Sequence, residues 1–125
     1  MARKLILLAL AGAIGTLARY GLAGFVQRSI SSEFPWGTAA VNITGCFLAG
    51  LLWALFEGRV SVSGETRIIL LMGFMGSFTT FSTFMLETGA LAQNTEWSRA
   101  LGNMIFQNFA GALALLSGVI AVRLL

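Results

Sequence analysis

The sequence predicts an all-α integral membrane protein with four transmembrane helices. Of its 125 residues, 57% are hydrophobic and 10% are charged, whereas soluble domains average about 45–50% apolar and about 25% charged residues. The mean hydropathy is +0.84. A helix rises about 1.5 Å per residue, so a hydrocarbon core of about 30 Å needs about 20 apolar residues per crossing. We therefore expect a single domain of four crossings over residues 1–125.

The apolar residues fall into four blocks, which place the expected helices at about residues 5–26, 36–56, 68–92 and 100–125. The first block follows Arg3 and Lys4, and a cleavable signal peptide is the alternative reading, since Ala9-Leu10-Ala11 offers a small-residue cleavage pattern. The apolar run continues well beyond that pattern, which favours a crossing. Pro35, the only proline, suits the start of the second helix.

The third block contains a stretch that is a poor helix former. Between Gly73 and Phe84 it combines glycines, hydroxyl side chains and β-branched residues, which weaken a helix relative to the leucine-rich flanks. Irregular backbone at membrane depth is stable only where protein buries it or where it lines a cavity. The composition therefore predicts a break near residues 76–80.

The basic residues are unevenly distributed between the two sides of the membrane. Five of them lie on the side of both termini and two on the other: Arg3, Lys4, Arg59, Arg67 and Arg123 against Arg28 and Arg99. This bias favours cytoplasmic termini. Because the margin is small for such short loops, charge alone does not exclude insertion in both orientations.

Several function classes are disfavoured by what the sequence lacks. With no histidine and one cysteine, the chain offers no histidine metal site, no histidine general base and no intrachain disulfide. The net charge of +3 comes from scattered basic residues, so we expect no nucleic-acid partner. Neither a nucleophile motif nor carboxylates paired on one helix face are present, so we expect no enzymatic activity.

Polar residues inside the expected crossings are candidate site residues, because hydrocarbon disfavours them unless they face protein or water. Asn42 shares a helical face with Thr38 in the second block, and Asn103 shares one with Gln107 in the fourth. Each pair suits either interhelical contact or contact with a solute. Two charges, Arg19 and Glu87, also lie within blocks. They are expected to pair, to occupy water-filled vestibules or to snorkel to an interface.

Aromatic and hydroxyl side chains adjoin each other in the third block. On a continuous helix, one stripe contains Phe74, Phe78, Phe81 and Phe84, and a neighbouring face contains Ser77, Thr80 and Thr83. Positive ring edges and neutral donors hold a small anion at the intermediate strength that conduction needs. Carbonyls freed by a break suit a small cation. The residues alone thus predict a membrane conduit for a small polar or anionic solute.

A twelve-residue run resembles a family signature. The run Gly73-Phe74-Met75-Gly76-Ser77-Phe78-Thr79-Thr80-Phe81-Ser82-Thr83-Phe84 is similar to that of the small bacterial fluoride channels of the Fluc/CrcB family, and the core from Thr79 to Phe84 is intact. Gly37-Thr38 with Val41–Phe47 resembles the family's second-helix pattern, and Arg19-Tyr20 with Gly24 its first-helix motif. Ser77 departs from the pattern, since many relatives have glycine there.

The resemblance implies an assembly and a function. Members of the Fluc/CrcB family are antiparallel, dual-topology homodimers of four-helix subunits in the inner membrane, with two narrow pores at the subunit interface, and the resemblance implies the same for this chain. Each pore conducts fluoride passively and relieves cytoplasmic fluoride toxicity. The implied partners are fluoride, sodium, the lipid bilayer and a second copy of the chain, with no organic cofactor.

The resemblance also implies roles for single residues. Phe81 and Phe84 correspond to pore phenylalanines whose ring edges meet the anion, and Asn42 to the amide that orients and contacts them. The backbone carbonyls of Gly76 and Thr79 correspond to ligands of a structural sodium ion at the dimer centre. Further candidates for the pore are Thr38, Ser77, Thr80, Ser82, Thr83, Asn103 and Gln107, with Arg19 and Glu87 in the vestibules.

Two alternatives remain open from the sequence. Proton-coupled small multidrug exporters are also four-helix, dual-topology dimers, and Glu87 is the candidate proton carrier in that reading. That class carries its essential carboxylate in the first helix, where this chain has Arg19. The second alternative is a membrane accessory subunit without transport of its own.

Overall fold

The computed structural model describes residues 1–125 and contains helices without strands. The elements are α1 (Ala2–Ile30), α2 (Trp36–Gly58), α3 (Gly64–Arg67), a π-helix (Ile68–Met75), α4 (Gly76–Phe78), α5 (Phe81–Gln93) and α6 (Trp97–Leu124). Four helical stretches are long and apolar enough to cross a membrane, with α3 to α5 forming the third. The predicted all-α architecture with four such helices is confirmed.

The helices extend beyond the apolar blocks because backbone pairing continues into their polar flanks. Helix α1 runs from Ala2 to Ile30, against an apolar block of residues 5–26, and ends where Ser31 adopts a left-handed conformation with φ 48° and ψ 48°. The third stretch begins at Gly64 rather than at residue 68, since Ser63 caps it by accepting a hydrogen bond from the Thr66 N–H.

Helices α2 and α6 pack with their backbones in close approach. A Cβ atom on Gly50 would collide with the carbonyl of Leu115, and one on Gly118 would collide with the carbonyl of Phe47. In lipid, where the hydrophobic effect does not drive helices together, small residues at such crossings allow close van der Waals packing. The pair thereby forms a fixed wall that carries Asn42 and Gln107 at facing positions.

Two residues with extended backbone separate α4 from α5 inside the third stretch. Thr79 has φ −81° and ψ 159°, and Thr80 has φ −149° and ψ 112°. Local hydroxyl groups bond to the backbone on both sides: Thr79 Oγ1 donates to the Met75 carbonyl at 3.0 Å, and Thr80 Oγ1 accepts from the Thr83 N–H at 3.2 Å. The π-helix Ile68–Met75, which α4 separates from this segment, is itself a rare element of a kind frequently found near functional sites.

Ion pairs show which connections lie at the same end of the molecule. Arg99 bonds to Glu96 at 2.9 Å and reaches Glu33 at 3.5 Å, so the α1–α2 and α5–α6 connections are neighbours. At the other end, Arg67 bonds to Glu57 at 2.7 Å. Because such exposed pairs stabilise a protein by only about 0–1 kcal/mol, they identify the ends rather than account for stability.

Candidate functional site

A cavity of about 400 Å³ lies beside the extended segment, between α2, the third stretch and α6. Seven residues singled out in the sequence lie on its wall: Asn42, Gly76, Thr79, Thr80, Phe81, Phe84 and Gln107. The wall carries no ionisable group except the thiol of Cys46. The cavity is therefore an uncharged and largely apolar recess, with amide and hydroxyl groups and two aromatic rings on its wall.

Asn42 replaces the helical hydrogen bonds that the backbone of Thr80 lacks. Its Oδ1 accepts from the Thr80 N–H at 2.8 Å, and its Nδ2 donates to the Thr80 carbonyl at 3.1 Å. The same Nδ2 donates to Gln107 Oε1 at 2.9 Å. Buried backbone groups need such partners, so one side chain from α2 makes an extended residue tolerable at membrane depth.

Phe81 and Phe84 pair with each other at the start of α5. Their ring centroids lie 5.7 Å apart at an interplanar angle of 54°. Phe81 is 72% exposed in the single chain, whereas Phe84 is 4% exposed. Phe81 therefore presents most of its ring on the surface of the chain, whereas Phe84 is buried inside it.

The single aromatic stripe expected from helical spacing is not formed. Phe74 and Phe78 stack on each other at 5.7 Å between ring centroids and 9° between planes, and Phe78 belongs to the buried core with Val41 and Met75. The two extended residues change the helical phase between Phe78 and Phe81. The stripe was thus a wrong prediction, because it assumed one continuous helix across the whole run.

Two further cavities contain the remaining polar candidates. One of about 230 Å³ is lined by Arg19, Thr38, Thr80 and Thr83 among others, and one of about 630 Å³ by Thr38 and Glu87 among others. Thr80 lies on the walls of both the 400 Å³ and the 230 Å³ cavities. Thr38 lies on the walls of both the 230 Å³ and the 630 Å³ cavities. The three cavities are therefore neighbours.

Arg19 and Glu87 do not pair with each other. Glu87 Oε1 accepts a hydrogen bond from Thr38 Oγ1 at 2.8 Å, and Glu87 Oε2 is buried without a partner. None of the ion pairs in the structure includes Arg19. Of the three expectations for these charges, mutual pairing is thus not observed.

Three sequence candidates lie away from these cavities. Ser77 Oγ donates to the carbonyls of Gly73 at 2.7 Å and Phe74 at 2.9 Å, so its hydroxyl serves its own helix. Ser82 is exposed on the protomer surface. Asn103 is 0% exposed and lies wholly inside the protein.

Sequence reasoning missed two polar residues that the structure brings into this region. Thr88 is buried and accepts a hydrogen bond from Asn103 Nδ2 at 2.8 Å. Gln27 accepts from the Gly37 N–H at 3.0 Å and donates to the Phe34 carbonyl at 3.1 Å, which holds the α1–α2 connection. Thr88 could have been identified from the sequence, because it lies one turn after Phe84 on the same helical face.

The carbonyls of Gly76 and Thr79 do not receive the hydrogen bonds that a continuous helix would give them. In a continuous helix they would accept from the N–H groups of Thr80 and Thr83, but those groups bond to Asn42 Oδ1 and Thr80 Oγ1 instead. Both residues lie on the wall of the 400 Å³ cavity. The structure contains no cluster of three or more acidic, cysteine or histidine side chains that could hold a metal ion.

Comparison with known proteins identifies the family. The family model described as CrcB-like protein, Camphor Resistance (CrcB), matches residues 6–119. The fluoride-specific ion channel FluC of Desulforapulum autotrophicum is 58% identical over 125 residues, and that of Solidesulfovibrio magneticus is 50% identical over 125, each alignment covering 100% of both chains. FluC of Nitrosococcus oceani is 50% identical over 118 residues, or 94% of each chain. The resemblance found in the sequence is confirmed, and this multi-pass membrane protein belongs to the CrcB family.

Proposed function

We propose that the chain is a fluoride-selective passive ion channel that releases fluoride from the cytoplasm and so lowers its toxicity. The observation that carries this proposal is the 400 Å³ cavity, where Phe81 and Phe84 adjoin an amide and a non-helical segment. Relatives that match the whole chain carry the name fluoride-specific ion channel. Their full-length similarity supports extending that activity to this chain.

The chemistry of the cavity suits a small, strongly hydrated anion. Fluoride gives up its hydration water only where several hydrogen-bond donors and positive ring edges approach it closely. A pore narrow enough to make these contacts with fluoride would not admit the larger chloride ion. The ring of Phe81 lies on the wall of this cavity. In the neighbouring 230 Å³ cavity, Thr83 Oγ1 accepts from Thr80 Oγ1 and keeps its own hydroxyl proton as a donor, so such groups are supplied without a fixed positive charge. The resulting binding is of intermediate strength, which lets the ion leave as well as bind.

The two neighbouring cavities are the proposed routes by which fluoride reaches the 400 Å³ cavity. Arg19 lies in the 230 Å³ cavity beside Thr80 and Thr83, where its guanidinium raises the local concentration of anions. Thr38 continues the line of hydroxyls toward Glu87 in the 630 Å³ cavity. Ser82, exposed next to Phe81, completes the set of hydroxyls in the proposed pore.

We further propose that two copies assemble in antiparallel orientation in the inner (plasma) membrane and that two pores form at their interface. Gly76 and Phe81 are exposed on the single chain at membrane depth. The extended residues Thr79 and Thr80 lie between them, and non-helical backbone at membrane depth is stable only where protein covers it or where it lines a cavity. A second copy supplies that cover, and the small bias of basic residues is compatible with insertion in both orientations.

A structural sodium ion at the centre of the dimer is the proposed ligand of the Gly76 and Thr79 carbonyls. A bound cation would supply a fixed positive charge that favours an anion nearby. In this proposal the chain itself contributes the oxygen ligands. The N–H groups of Thr80 and Thr83, which would bond to these carbonyls in a continuous helix, donate instead to Asn42 Oδ1 and Thr80 Oγ1.

Sodium is therefore expected to stabilise the purified dimer. Thermal unfolding in detergent should occur at a higher temperature in sodium chloride than in N-methyl-D-glucamine chloride at equal ionic strength, because the folded state binds the smaller cation. Potassium chloride serves as the second comparison. Equal unfolding temperatures in all three salts, across a range of concentrations, would contradict the sodium site.

The function is tested by fluoride efflux from liposomes that contain the purified protein. Vesicles loaded with potassium fluoride and treated with a potassium ionophore should release fluoride rapidly, as read with a fluoride electrode. Matched vesicles loaded with potassium chloride should release chloride no faster than protein-free vesicles. Absence of fluoride release from an intact dimer would favour an accessory subunit.

The exporter alternative makes a different prediction in the same assay. Fluoride release by a channel needs no proton gradient, whereas an exchanger that uses Glu87 would respond to an imposed pH difference. Exchange that depends on the gradient and disappears in Glu87→Gln would overturn the channel proposal.

A further inference from the structure

Four polar side chains form a continuous hydrogen-bonded chain inside the protomer, which we call the amide chain: Asn42, Gln107, Asn103 and Thr88. Asn42 Nδ2 donates to Gln107 Oε1 at 2.9 Å, and Gln107 Nε2 donates to Asn103 Oδ1 at 2.8 Å. Asn103 Nδ2 then donates to Thr88 Oγ1 at 2.8 Å, and Thr88 Oγ1 donates to the Phe84 carbonyl at 2.7 Å. Every donor points in the same direction, from α2 through α6 to α5.

Three of the four members of the amide chain are buried and Asn42 is half-buried, and hydrogen bonds join the members to one another. Asn103 is 0% exposed, and Gln107 and Thr88 are each 6% exposed. Polar groups within a membrane protein are costly and tend to mark function, whereas networks with every member paired rigidify the surrounding structure. Apolar side chains of similar volume would fill the same space, so packing alone does not account for these residues.

Both ends of the amide chain bond to the backbone of the same short segment. Asn42 bonds to the N–H and the carbonyl of Thr80, and Thr88 bonds to the carbonyl of Phe84. Phe81 and Phe84 lie on that segment. The amide chain thus links the two ends of the turn that carries both rings through helix α6.

The direction of the hydrogen bonds is set at one end. The single hydroxyl proton of Thr88 goes to the Phe84 carbonyl, so Thr88 Oγ1 is free only to accept from Asn103. This places Asn103 Oδ1 toward Gln107 and, in turn, Gln107 Oε1 toward Asn42. Asn42 must then present Nδ2 to Gln107 and Oδ1 to the Thr80 N–H, which is the orientation observed.

We propose that Gln107, Asn103 and Thr88 are positioning residues, which hold the amide of Asn42 in one orientation and thereby fix the geometry of the turn carrying Phe81 and Phe84. Both amide hydrogens of Asn42 are used within the protein, one on Thr80 and one on Gln107. The amide chain accordingly acts on the pore through the backbone of Thr80 to Phe84. This inference rests on the proposed function.

Thr88 offers the sharpest test, because two substitutions separate packing from hydrogen bonding. Thr88→Val keeps the side-chain volume and removes the hydroxyl, whereas Thr88→Ser keeps the hydroxyl and removes a methyl group. A packing role predicts that Val matches or exceeds Ser in both thermal stability and fluoride release. The amide chain predicts that Ser retains fluoride release close to that of the unmodified protein and that Val releases fluoride about tenfold more slowly.

A double variant tests whether the amide chain acts as one unit. Asn103→Leu and Thr88→Val should each slow fluoride release, and the double variant should be no slower than the slower single one, since residues that act together are not additive. Ser117→Ala is the matched control, because Ser117 is exposed on α6 and its hydroxyl bonds only to the Leu113 carbonyl.

The outcomes distinguish this inference from the function on which it rests. Equal fluoride release by Thr88→Val and Thr88→Ser, or single effects that multiply in the double variant, would overturn the positioning role while leaving the channel intact. No fluoride release by the unmodified protein would overturn the proposed function and the inference together. Slower fluoride release by Thr88→Val than by Thr88→Ser, with single effects that do not multiply in the double variant, is the expected result.

Discussion

Replacement of Phe81 or Phe84 by isoleucine is expected to abolish or greatly slow fluoride release while the subunits remain assembled. Isoleucine keeps an apolar side chain but lacks the positive ring edge that a permeating anion would meet. Phe81 is 72% exposed in the single chain, so its replacement removes little internal packing. Phe84 is 4% exposed, so Phe84→Ile also changes internal packing, and a control of similar burial separates that effect from the loss of the ring edge.

Fluoride efflux from liposomes measures the rate for each variant, and size-exclusion elution in detergent measures assembly. Each variant has a control of similar exposure that lies outside the 400 Å³ cavity. Phe25→Ile, at a residue 66% exposed on α1, matches Phe81, and Phe56→Ile, at a residue 8% exposed on α2, matches Phe84. Normal release by both Phe81→Ile and Phe84→Ile would remove the phenylalanines from the proposed pore.

Asn42→Ala is expected to have the second large effect, on stability as well as on fluoride release. The substitution removes three hydrogen bonds and leaves the N–H and carbonyl of Thr80 and the Oε1 of Gln107 without those partners. Each unsatisfied buried group costs about 1–3 kcal/mol. A loss of roughly 2–5 kcal/mol in the free energy of unfolding follows if water or rearrangement relieves part of the cost.

Denaturant unfolding in detergent measures this loss. Ser117→Ala is the stability control, because Ser117 is exposed and its hydroxyl bonds only to the Leu113 carbonyl, at 2.8 Å. Such a surface change is expected to stay within about 0.5 kcal/mol. If Asn42→Ala unfolds as the control does, Asn42 does not support the extended segment.

The sequence determined the features that depend on local composition. Four apolar blocks set the number of helices, because each crossing needs its own run of about 20 apolar residues. The run from Gly73 to Phe84 carried the family resemblance, which the full-length relatives confirm. Neither feature depends on how the helices pack against one another, so both could be predicted from the sequence alone.

Only the tertiary structure decided which polar groups meet. Asn42 lies 38 residues from Thr80 and 65 from Gln107 in sequence, yet it bonds to both. Asn103 shares a helical face with Gln107, but periodicity did not show that this face is buried against Thr88. Helical spacing groups residues on one face, whereas the rotation of each helix and the contacts across its crossings determine what that face touches.

The aromatic residues illustrate the same limit. Spacing placed Phe74, Phe78, Phe81 and Phe84 on one stripe, and the structure forms two separate pairs. The extended conformation of Thr79 and Thr80 makes the difference, and it is stabilised by Asn42 from another helix. Local residue types determined that this stretch is a weak helix former. The conformation it adopts depends on a long-range hydrogen-bonding partner that no local pattern identifies.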